Sequence, residues 1–91
     1  MACYIVTYDL VHADTMDYQE LISAIQKYPK WGRISKSVWA VVPQQGITAA
    51  MIRDNLAKFI DKDDRLFVIK SGVEAAWRNS MCDNGWLKEN L

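Results

Sequence analysis

Three strand-like segments of this sequence are apolar on both of their faces, which leaves few folds open. From Ala2 to Leu10, Cys3 and Ile5 alternate with Tyr4, Val6 and Tyr8. Val38, Ala40 and Val42 alternate with Trp39 and Val41, and Leu66 and Val68 with Phe67 and Ile69. Successive side chains of a strand point to opposite sides, so a strand apolar at every position is covered on both.

Between these segments the apolar period changes from two to three or four. Tyr18, Leu21, Ile22, Ile25 and Tyr28 form one helical stripe, closed by Pro29, because the residue before proline disfavours helical geometry. Asp14 or Thr15 supplies its N-cap, or Asp17 with Glu20 three residues on. Trp31 to Val42 reads as two strands, or one long bent strand, with a break at Ser35-Lys36. Pro43 to Gly46 is a turn. Thr48 caps a second helix striped by Ile52, Leu56, Phe59 and Ile60, with Ile47 and Ile52 placed for a hydrophobic staple. Asp61 to Asp64 is a charged turn, and Arg65 to Lys70 a last strand. Gly72 to Asn79 is expected to form a short helix bearing Trp77. Residues 79–91, with Trp86 and Leu87 among polar neighbours, form a tail to which the pattern assigns no structure.

The order β-α-β-β-α-β predicts an α+β domain of the ferredoxin-like type over residues 1–78, with two helices on one face of the sheet. The other face would then expose a large apolar surface. Packing two sheets face to face in a homodimer, or a higher oligomer, removes it.

At 91 residues and 51% hydrophobic, the chain suits one domain that gains from a partner. Eleven basic residues balance eleven acidic ones, which argues against wrapping long duplex nucleic acid by charge. A local basic patch or a smaller anionic ligand stays open. Cys3 and Cys82 have no metal-ligand spacing and build no disulfide framework, so a cytoplasmic setting is expected. No basic region leads into a long apolar run, so neither a signal peptide nor a membrane partner is expected.

Arg33, Ser35, Lys36 and Ser37 cluster at the strand break. Two cations with hydroxyls and backbone amides suit phosphate, and a solvated hairpin would look the same. Tyr8, Trp31 and Trp39 are able to stack on bases or to fill a core. Trp77 beside Arg78 would serve as a lid or as an anchor at an interface. Asp9, ending an apolar strand, suits a hard divalent cation such as Mg2+, or pairs with a neighbouring base. His12, the single histidine, would act as a general base beside it, or sit idle in a loop.

Three segments in order carry a resemblance: Tyr-Ile-Val-Thr-Tyr-Asp-Leu at 4–10, Arg-Ile-Ser-Lys-Ser-Val-Trp at 33–39, and Asp-Asp-Arg-Leu-Phe-Val-Ile at 63–69. Together they resemble the Cas-two/VapD superfamily, the relatives of the CRISPR adaptation subunit. Gly-Val-Glu-Ala-Ala-Trp at 72–77 is similar to the segment that ends its SinR-like members. The resemblance covers roughly residues 2 to 78. It implies a ferredoxin-like dimer that handles nucleic acid or nucleotides, in some members as a metal-dependent nuclease and in others as an adaptor bridging a larger protein and DNA. The catalytic, metal-binding position it implies is Asp9. Two further functions compete: sequestering a small signalling nucleotide in phage–host defence conflict, and pairing with protein as a toxin–antitoxin component or adaptor.

Overall fold

Backbone hydrogen bonds join the strand-like segments into one antiparallel sheet. In the computed structural model, which describes residues 2–11, 15–72 and 74–91, the strands are β1 (Tyr4–Asp9), β2 (Lys30–Ser35), β3 (Val38–Val42) and β4 (Arg65–Lys70). The helices are α1 (Thr15–Ile25), α2 (Ala49–Ala57) and α3 (Asn84–Asn90). Across the sheet the order is β2-β3-β1-β4, every neighbouring pair antiparallel. The chain is thus a small α+β protein. Its expected strand break is a tight turn at Lys36 and Ser37.

Register sorts the apolar residues onto two faces. Val6 lies opposite Trp39 on one side and Val68 on the other, and Tyr8 opposite Leu66. These side chains share a face with Tyr4 and Val41 and pack against Leu21, Ala24 and Ile25 of α1 and Ile52 and Leu56 of α2. The α2 start is as expected: the Thr48 hydroxyl accepts from the Met51 amide at 3.2 Å, and Ile47 packs on the same core as Ile52. Gly46 sits at φ +90°, a conformation glycine adopts without a Cβ penalty. The α1 caps expected at Asp14, Thr15 or Asp17 lie outside the described residues and side chains. That helix stops at Ile25 rather than at Pro29. The chain tightens there, with Lys27 N donating to Ala24 O and Tyr28 N to Ile25 O. Tyr28 leaves the helix because its hydroxyl accepts from Asn55 Nδ2 of α2 at 3.1 Å.

The second face carries Cys3, Ile5, Gly32, Ile34, Ala40 and Val42, and opposite Ile5 and Thr7 stand Ile69 and Phe67. Here the structure departs most from expectation. The described residues of 72–79 form no helix. Ser71, placed to cap such a helix, instead continues the β4 pairing, its amide donating to the Cys3 carbonyl at 2.8 Å, and Asn79 turns the chain at φ 58°. The helix forms instead in the tail. Asp83 caps it, accepting from the Trp86 amide at 3.0 Å. Leu87 is fully buried, and Trp86 and Leu91 pack on Cys3, Ala40 and Val42. The tail rests on the sheet because β2 offers bare backbone at Gly32. A Cβ there would lie 2.6 Å from Cys82 Sγ and 3.1 Å from the Trp86 ring.

Among the described residues no helix is long and apolar enough to cross a membrane.

Candidate anion-binding site at one end of the sheet

Antiparallel pairing brings the end of β1, the β2–β3 turn and the start of β4 to one edge of the sheet. Asp9 stands opposite Arg65, and the Tyr8 amide donates to the Ser37 carbonyl at 3.2 Å. Asp9, Ser35, Lys36, Ser37 and Arg65 therefore gather at one end, although the sequence spreads them over more than fifty positions. His12 lies outside the described residues.

The turn is locked from beneath through a single atom. The Lys36 carbonyl oxygen accepts from Arg33 Nη2 at 2.7 Å, from the Tyr18 hydroxyl at 3.0 Å and from the Tyr8 hydroxyl at 3.3 Å. A carbonyl has two lone pairs, so the longest of the three bonds, from Tyr8, is the weakest. Tyr8 in turn accepts from Trp39 Nε1 at 3.1 Å, and its ring meets Tyr18 edge-on with centroids 5.8 Å apart. Burial is the main reason the Tyr8 phenol is pushed up to about 12, and Tyr18 adds to it, while Trp39 and Arg33 pull the other way.

Arg33 lies flat on this assembly. Its guanidinium carbon is 4.9 Å from the Trp39 ring centroid, a cation–π distance, and its buried Nε has no partner among the described residues. The side chain is spent on the turn, inward rather than outward. A register shift between Arg33 and Ser35 turns the following residues, and Ser35 and Lys36 are exposed. No partner holds the Lys36 ammonium among the described residues. Tyr8 and Trp39 are buried in the helix-side core. Trp31, 40% exposed and 5.7 Å from Trp39 between ring centroids, is the aromatic that shows a face to solvent beside them.

Asp9 has the plainer of its two expected environments: Oδ2 accepts from Arg65 Nη1 at 2.9 Å. Both side chains are about 70% exposed (68% and 72%), so water screens the pair, and exposed pairs contribute about 0.2–1 kcal/mol. A phosphate competes readily for that guanidinium. Nearby, Asp64 accepts from the Val11 amide at 2.7 Å and from its own turn's Asp61 amide at 2.8 Å. Among the described residues no group of three His, Cys, Asp or Glu side chains comes together to hold a metal.

Two participants escaped the sequence reading. Tyr18 is visible only as part of a helical stripe, and Arg65 only as the first residue of the last strand. Neither has a local signal, since each gains its role from a partner far along the chain. Compared with known families and curated proteins, the sequence matches no family model and no curated relative.

Proposed function

We propose that this protein binds a nucleotide or a short stretch of single-stranded nucleic acid at the sheet end that carries the β2–β3 turn. In this reading it is a ferredoxin-like homo-oligomer related in kind to the Cas-two/VapD proteins. The observation that carries it is the locked turn. Arg33, Tyr8 and Tyr18 hold one carbonyl, which fixes the backbone of a turn whose Ser35 and Lys36 face solvent, at the same end of the sheet as Arg65. A preorganised cation with hydroxyl donors at hand is suited to a phosphate, because little ordering remains to be done on binding.

Charge supports a ligand with few phosphates. The chain has no net charge, and Lys36 and Arg65 are exposed cations at this end. Trp31 lies on the same helix-side face of β2 as Arg33 and offers an exposed ring for a base. Cleavage is a separate matter. A metal-dependent nuclease of the family's kind would bring the Asp9 carboxylates of two copies to one Mg2+.

The test is a binding titration of a dinucleotide and a short single-stranded RNA or DNA against wild type and Lys36→Ala. Loss of one charge-assisted phosphate contact weakens binding about tenfold or more. Equal affinity for wild type and variant contradicts the reading. Incubation of the same oligonucleotides with magnesium adds the enzymatic question. Products that disappear in Asp9→Ala would extend binding to catalysis.

A further inference from the structure

We propose that the ligand held at the β2–β3 turn is a single strand of roughly three to four nucleotides, lying along β2 with a phosphate at Lys36 and a base on Trp31. The inference rests on the turn being a phosphate site, and it adds the ligand's length and path.

The helix-side face of β2 is open. β2 is an outer strand of the sheet, and the core under α1 and α2 draws its strand residues from β1, β3 and β4, with none from β2 among the described residues. On that face β2 carries Trp31 and Arg33, in register with Val41 and Trp39. The buried Trp39 ring backs both: its centroid is 5.7 Å from that of Trp31 and 4.9 Å from the Arg33 guanidinium carbon. Trp31 is therefore a ring already held in place, with 40% of its surface exposed. The chain's charges are also segregated, although they sum to zero. Between Glu20 and Asp54 the sequence has no acidic residue, whereas Lys27, Lys30, Arg33, Lys36 and Arg53 are basic. β2, β3 and the turn that joins them all lie in this stretch. A phosphate backbone following β2 meets cations and no carboxylate of that segment, which suits a polyanion of modest length.

Strand geometry sets the length. Trp31 and the start of the turn at Ser35 are four positions apart, about 13 Å along a strand that rises about 3.3 Å per residue. Stacked nucleotides follow one another at about 3.4 Å. Four of them span the gap, or three when the backbone is stretched. A dinucleotide with its phosphate on Lys36 stops short of Trp31. Trp31 then selects for length and not for sequence, because every base has a π-face to stack.

The test is a binding titration of oligo-dT and oligo-rU, each two and four nucleotides long, against the full-length wild type, Lys36→Ala, Trp31→Ala and Trp31→Phe. In at least one of the two series the wild type should hold the longer strand about tenfold more tightly than the dinucleotide, the effect of one stacked base. Trp31→Ala should close that gap between the two lengths, and Trp31→Phe, which keeps a ring, should retain most of it. A wild type with no gap in either series, or a gap that survives intact in Trp31→Ala, overturns the path along β2 while Lys36→Ala still weakens both lengths. Lys36→Ala without effect at either length overturns the phosphate site itself, and the path with it.

Discussion

Tyr8 spends one hydroxyl on two partners, accepting from Trp39 Nε1 and donating to the Lys36 carbonyl. Burial, with Tyr18 adding to it, pushes the ionisation of this phenol up to about 12, against the pull of the Trp39 bond and Arg33. A tyrosine in the unfolded chain ionises near pH 10. Because the folded value is the higher, the stability it confers is complete below about 10 and is lost as pH rises towards 12. Burial raises the Cys3 thiol too, from 9.0, with a hydrogen bond to Ser71 opposing in part, so alkaline destabilisation begins before Tyr8 contributes. Tyr8 is expected to give a late phase near pH 12 in an ultraviolet absorbance titration, and Tyr8→Phe should remove that phase. Trp39→Phe severs the bond to Tyr8 and shrinks the surface under Arg33. It should cost about 1–3 kcal/mol in a denaturant melt. The sequence told of this cluster's members but not of their direction. In a strand apolar on both sides, Tyr8 and Trp39 suit a core and a stacking platform equally well. Arg33 turns inward because of a register shift that no residue pattern announces.

At the scale of elements, local signals were enough wherever the decisive contact is local. Thr48 and its bond to Met51, Gly46 in its turn and the break after Ser35 are all readable from a few neighbouring residues. Thr48→Ala should lower stability by about 1 kcal/mol, measured as a shift in the denaturant midpoint. α3 was not readable, because Trp86 and Leu87 in a polar run mean little until the bare backbone of Gly32, fifty residues earlier, receives them. The expected helix at 72–79 is absent although Ser71 and Glu74 offer a local cap signal, because the Ser71 backbone is drawn into pairing with Cys3, a partner far along the chain. The two layers should also differ in energy. Leu21→Ala in the helix-side core should cost about 2–5 kcal/mol. Leu87→Ala should cost less than Leu21→Ala, because undocking of a weakly held element limits the loss. Equal costs in parallel melts would mean that the two layers unfold as one.

For the whole molecule, zero net charge and a proposed site built on Lys36 and Arg65 point to a ligand held by few phosphates. Each neutralised phosphate contributes about 0.7 to the slope of log affinity against log salt for single strands. The account therefore expects a slope of magnitude about 1–2. A steep slope, of the size duplex-wrapping proteins give, would require a basic surface that this chain does not present. The central claim is where the ligand sits, and amide chemical shifts report that residue by residue. The decisive measurement is a two-dimensional 1H–15N spectrum of the labelled protein titrated with a dinucleotide. The account predicts shifts that saturate together and cluster at Asp9, Ser35, Lys36, Ser37 and Arg65, and that in Lys36→Ala require about tenfold more ligand or beyond. Shifts confined to the opposite end of the sheet, around Gln44 to Ile47, or no shifts at all, would contradict it.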